Sequence, residues 1–205
     1  MKTYNAKRVS GKMTVIDERW NAAEVAKVDF VWEDFCPSPY VTEARLVHSE
    51  EGLFALLTSN EWPLRVTHTE MGAMICEDSC LEFFLIPNTS DPRYLNFEVN
   101  PAGVMHLRIG PDRDDRTPVE YVGSGISVVT AVEPLLGWRA MIHIPYSFLE
   151  AHYGRCDREM RGNFYKCGDF TVKEHYSMWN PVLVEVPDYH RPDFFGKILL
   201  SEEEI

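Results

Sequence analysis

Apolar and polar side chains alternate along most of this chain in short stretches bounded by turn residues, which is the pattern of strands that bury one face. Strands are predicted at 41–48, 53–59, 81–87, 94–100, 104–109, 126–133, 138–144, 162–167 and 197–200. Ser49-Glu50-Glu51-Gly52 joins the first two as a hairpin with a short polar turn, and Asn88-Thr89-Ser90-Asp91-Pro92 joins the third and fourth. One helix is expected at 146–153, where Pro145 presets the first position and Gly154 supplies the stop. Irregular loops are expected at 60–77, 111–118 and 168–195.

About ten strands at this spacing predict an all-β fold, a two-sheet antiparallel β-sandwich of immunoglobulin-/jelly-roll-like architecture with one or two short helical turns. At 205 residues, one domain over 1–205 is the default, and no apolar run approaches the ~20 residues of a membrane-spanning helix. Asp and Glu outnumber Lys and Arg by 32 to 20, and the net charge of −12 repels polyanions. Nucleic acid and anionic membrane are therefore not expected as partners, and the oligomeric state is left open. Residues 1–10 carry Lys2, Lys7 and Arg8 with no apolar stretch behind them, which does not read as a signal peptide. The chain as given reads as cytoplasmic, with an extracellular location left open if the native N-terminus was trimmed. Five cysteines at irregular spacing argue for reduced thiols. Cys76 and Cys80 approach a metal-ligand spacing, but no second ligand pair follows, so they read as buried thiols.

In the strand at 94–100, alternation places Leu95, Phe97 and Val99 on a core face and Tyr94, Asn96, Glu98 and Asn100 on the other. That second face is either an ordinary polar outer surface or a surface that pairs with sugar hydroxyls. Glu82 interrupts the apolar run Leu81–Ile86, and the hairpin brings it beside Glu98. Two such carboxyls serve either as hydroxyl acceptors or as the acid and base of a glycosidase. Lys166 supplies one cation and is expected to pair with Glu98 across the floor of a concave site. Cys167, Asp169 and His175 supply the residue types of thiol catalysis without its local signature. Asp112, Asp114 and Asp115 are interrupted by Arg113 and Arg116 and read as a solvated loop. No cofactor is expected, calcium at that loop being the one cation left to consider. Met141 and His143 share a strand face and so cannot take opposite axial positions on one haem iron.

The order of several segments resembles carbohydrate-binding module family 9, of the DOMON-like β-sandwich superfamily. They are Val15–Asn21, Ala44–Leu57, Glu61-Trp62-Pro63, Asp78–Phe84, Asn96–Asn100, Gly137–Ala140, Arg161–Phe164 and Arg191–Gly196. The resemblance implies a sandwich that grips a glycan end between two tryptophans above a polar sheet. By position, Glu82 matches a sugar-binding carboxylate and Asn100 a sugar-binding asparagine. Glu98 falls where the family has arginine and Lys166 where it has glutamine. The first-loop tryptophan has no counterpart near Met71–Glu77, and Tyr189 or His190 stands near the second. The implied function is a non-catalytic carbohydrate-binding domain with a saccharide ligand held by Glu82, Glu98, Asn100, Lys166 and an aromatic from Tyr189 or His190. The alternatives are a glycoside hydrolase or lyase using Glu82 and Glu98, and a haem-binding sandwich of the related cytochrome type.

Overall fold

The computed structural model describes residues 1–205. The first strands in chain order are β1 (Thr3–Arg8), β2 (Ala26–Lys27), β3 (Thr42–Ser49) and β4 (Gly52–Ser59), followed by β5 (Cys80–Ile86), β6 (Tyr94–Val99), β7 (Met105–Gly110) and β8 (Thr117–Pro118). Next are β9 (Ser127–Glu133), β10 (Gly137–Pro145) and the helix α1 (Tyr146–Tyr153). The chain ends with β11 (Glu159–Gly168), β12 (His175–Met178) and β13 (Gly196–Glu204). The nine strands expected from alternation all form, with boundaries within a few residues. Helix α1 begins after Pro145 and stops at Gly154, whose φ of +75° is the left-handed conformation glycine adopts without a Cβ penalty.

Four short strands were not anticipated, and one of them changes the architecture. β1 pairs in parallel with both β13 and β3, so the strands form one mixed, curled sheet in the order β8-β7-β6-β5-β11-β13-β1-β3-β4-β10-β9. The expectation of two separate, purely antiparallel sheets is corrected to this single half-barrel. β1 can close the gap because its alternation buries Tyr4 and Ala6 and leaves its polar side chains outward. β12, inside the expected loop 168–195, pairs antiparallel with the end of β11.

The main core fills the inside of the curl. The β5–β6–β11 arm contributes Phe83, Phe97 and Phe164, and the β4–β10 arm contributes Leu53, Ala55, Leu57, Ala140 and Ile142. Phe83 stacks on Phe164 with centroids 4.8 Å apart. Each such fully buried phenylalanine contributes about 1.5–3 kcal/mol from removal of apolar surface. Leu95, Phe97 and Val99 all enter this core, so the register read from the sequence holds.

The opposite face of the same arm is not the open polar surface of a half-solvated sheet. Phe84, Tyr94 and Tyr165 meet Ile75, Val182, Tyr189 and Phe195 from the connecting segments in a second apolar cluster. That cover buries Asn96 and Asn100 completely and leaves Glu98 8% exposed. The uncovered part of this face is where a site can form.

Candidate functional site

Pairing register sets the floor of the site. Tyr165, Glu82, Glu98 and His106 are successive cross-strand partners on β11, β5, β6 and β7. One step along, Asn163, Phe84, Asn96 and Arg108 form the next row on the same face. In the other direction, Cys167 of β11 faces Cys80 of β5. Because partners in register share a face, residues dispersed from 80 to 167 become one surface.

A cleft of about 250 Å³ opens over this floor. Glu82, Glu98, Cys167 and Asp169 line it on the acidic side, His106, Arg108, Arg113 and Arg116 on the basic side. Trp32, Phe35, Tyr176 and Tyr189 supply aromatic walls. Trp32 stacks on Tyr189 with centroids 5.4 Å apart, and its indole Nε1 donates to Val182 O at 2.9 Å, which fixes the ring. Phe35 stacks on Tyr176 at 5.2 Å and remains 40% exposed at the mouth.

Electrostatically, burial and the neighbouring Glu98 charge push the Glu82 carboxyl well above the usual range. Burial likewise raises Glu98, opposed by His106, Arg116 and a hydrogen bond from Asn96 Nδ2 at 2.7 Å. Cys167 Sγ donates to Glu82 Oε1 at 2.8 Å. No lysine, arginine or histidine nitrogen lies within ion-pair distance of either carboxyl. Arg116 instead donates to Asn96 Oδ1 at 2.9 Å, and Arg113 pairs with Asp188. His106 Nδ1 donates to Ala73 O at 3.1 Å; since a carbonyl only accepts, Nδ1 carries the hydrogen.

The residues expected at the site separate into two groups. Glu82, Glu98, Tyr189 and His190 line the cleft. Tyr189, however, has Tyr165 stacked on it at 4.2 Å as well as Trp32, and its hydroxyl donates to the Lys166 and Ser177 carbonyls. His190 Nδ1 is 2.8 Å from the Tyr94 hydroxyl, and burial lowers its pKa to about 2, which keeps it neutral.

Lys166 and Asn100 lie elsewhere. Lys166 pairs in register with Leu81, so it points to the core side of the sheet while Glu98 points to the cleft side, and β5 separates their strands. The expected Glu98–Lys166 ion pair is therefore corrected: Lys166 Nζ contacts Glu61 Oε2 at 2.8 Å, His175 Nε2 at 2.7 Å and Cys167 O at 2.8 Å. His175 joins this cluster on the face opposite the Cys167 thiol, which separates the two side chains a thiol catalyst would need together. Asn100 Nδ2 donates to His68 O and Asp78 Oδ2, and its Oδ1 accepts from Ala102 N and Val104 N. It ties the 66–78 loop to the β6–β7 turn. In the 112–115 loop, Asp112 Oδ1 accepts the backbone N–H groups of Asp114 and Asp115.

Trp32, Phe35, Tyr176, His106, Arg108 and Arg116 were not anticipated. A signal for the first two was present: aromatic residues at 30, 32 and 35 in a segment rich in proline and acidic residues, with no strand to bury them.

The model of carbohydrate-binding family 9 matches residues 13–200. Among solved structures, one named as a "putative carbohydrate-binding protein" from Bacteroides uniformis ATCC 8492 is 28% identical, with a TM-score of 0.83 over 98% of this chain and 99% of that one. A carbohydrate-binding module family 9 from Caldicellulosiruptor kristjanssonii in complex with cellotriose is 14% identical, with a TM-score of 0.71 over 98% of this chain and 95% of that one. The same module in complex with glucose gives the same identity and TM-score over 97% of its own length. At that identity the likeness is one of fold. No curated protein matches the chain.

Proposed function

This chain belongs to carbohydrate-binding family 9, and on that premise we propose that it is a non-catalytic domain that holds a saccharide in the cleft between Trp32 and the Glu82–Glu98–His106 row. The two facing arms of the curled sheet act as the layers of a sandwich, and the cleft lies on the outer face of one. The observation that carries the reading is the pairing of a fixed indole with a floor of polar groups in a cleft of about 250 Å³. An apolar ring covers the CH face of a sugar while carboxyls and guanidiniums satisfy its hydroxyls. Trp32, rather than Tyr189, is the platform, because the Tyr189 ring is already stacked and its hydroxyl already bonded.

The family's arginine is replaced by Glu98, and we read Arg108 and Arg116 as its compensation. Arg108 is the cross-strand neighbour of Asn96, one row from Glu98, and Arg116 comes from the segment beyond it. The cation has moved by one strand while the cleft keeps donors and acceptors on opposite sides.

Thermal unfolding with a panel of mono- and disaccharides tests the proposal. A ligand present at 100 times its Kd stabilises by about 2.7 kcal/mol, which raises Tm by about 5–10 °C for a domain of this size. Trp32→Ala should remove that rise while leaving the unliganded Tm within a few degrees. The proposal fails if no saccharide moves Tm, or if Trp32→Ala responds as the parent does.

A further inference from the structure

Beneath the acidic side of the cleft, two thiols and a carboxyl converge. One donor atom from each of Cys80, Glu82 and Cys167 lies within 4.8 Å of the other two, and all three residues are buried. Cys80 and Cys167 are cross-strand partners, and Glu82 is two residues from Cys80 on the same face of β5. The triad thus rides on two adjacent strands of the sheet rather than on a loop.

We propose that Cys80, Glu82 and Cys167 form a binding site for a thiophilic divalent cation of the zinc type. Three features point there. In a tetrahedral zinc site with Cys and carboxylate ligands, donor atoms lie about 3.5–3.8 Å apart, within the spread present here. Thiolate donors select such a cation over calcium or magnesium, which prefer all-oxygen shells. The third feature is charge: Glu82 and Glu98 are buried cross-strand partners with no cation within ion-pair distance, and the hydrogen bond Glu82 receives comes from a thiol. A dication at the triad would supply that counter-charge.

Binding requires both thiols to become thiolates, so two protons pass to solvent, with a third if Glu82 is protonated. The Cys167 Sγ to Glu82 Oε1 hydrogen bond is replaced by two bonds to the metal. Cys80 lies behind the floor, whereas Glu82 and Cys167 line the cleft. The fourth position therefore faces the cleft and is left for water or a ligand oxygen, the arrangement of three-ligand zinc sites. This inference stands on the triad alone and does not depend on the saccharide reading.

Cobalt(II) is the probe. The full chain, reduced with a phosphine and freed of metal, is titrated with Co²⁺ and followed by the thiolate-to-cobalt charge-transfer band in the near ultraviolet. One equivalent should produce the band, and Zn²⁺ should bleach it. Cys80→Ser and Cys167→Ser should each weaken Co²⁺ binding by more than about 100-fold, beyond the loss expected for an outer-shell hydrogen bond. Cys36→Ser and Cys156→Ser should leave it unchanged. Circular dichroism checks folding, and if Cys80→Ser does not fold, Cys167→Ser and Glu82→Gln decide. Absence of the band at excess Co²⁺ overturns the proposal, as does an unchanged Co²⁺ affinity in the Cys167→Ser and Glu82→Gln proteins. Saccharide thermal shifts measured in chelator separate the two readings: sugar binding without a cobalt band removes the metal site alone.

Discussion

Replacing Lys166 by methionine should unfold the protein more readily without touching the cleft. The Lys166 ammonium is fully buried, with Glu61 Oε2 at ion-pair distance and His175 Nε2 and the Cys167 carbonyl accepting its hydrogen bonds. Methionine keeps the stem's packing and deletes the charge. Glu61 is also fully buried, and its remaining side-chain partner is the Ser79 hydroxyl at 2.8 Å, so the substitution strands a carboxylate in the interior. Breaking a buried pair in this way costs about 3–5 kcal/mol, which corresponds to a fall in Tm of about 6–20 °C in a domain of this size. Urea unfolding of the parent, Lys166→Met, Glu61→Gln and the double variant gives the coupling directly. The double variant should be more stable than Lys166→Met, because it removes the stranded charge. Lys166 is not among the cleft-lining residues, so saccharide affinity per folded molecule should be unchanged. A loss below about 1 kcal/mol for Lys166→Met, or effects that add within about 0.5 kcal/mol in the double variant, would refute the buried-pair argument.

Two further outcomes follow from neighbouring features. Burial, with the Lys166 charge, lowers the His175 pKa from 6.5 to about 3, so below pH 6.5 the unfolded chain takes up a proton that the folded one refuses. The folded state then loses about 1.4 kcal/mol per pH unit from this residue, about 2 kcal/mol by pH 5, and His175→Gln should flatten that part of the stability–pH curve; an unchanged slope refutes the assignment. Asn100→Ala removes two donors and two acceptor contacts at the β6–β7 turn and should cost about 1–3 kcal/mol in urea unfolding. It should also raise the Asp78 carboxyl pKa, because burial opposes ionisation there and hydrogen bonds from His68, Thr67 and Asn100 hold it low. An Asp78 titration that does not move would show that Asn100 contributes nothing to it.

Alternation within a strand is local information, and it was enough to place Leu95, Phe97 and Val99 in the core and to set Glu82 beside Glu98. The same logic was available for Tyr4 and Ala6 in β1, but its parallel pairing with β3 and β13 depends on segments about 40 and 190 residues away. Lys166 shows the limit from the other side. Its strand was recognised, yet one residue of register decides which face a side chain takes, and mixed polar and apolar residues in β11 left that choice undetermined.

The sequence by itself determined that the protein is built from strands, where most of them run, and which face of β6 is core, because period-two alternation and turn chemistry act between near neighbours. Tertiary structure alone decided what meets at the site. Trp32 reaches the cleft from the N-terminal segment, Arg116 from a surface loop, and Cys167 joins Cys80 across 87 positions of chain. The physical reason is that a sheet converts sequence distance into adjacency through its strand order, and the loops that close over it are placed by what the strands leave exposed.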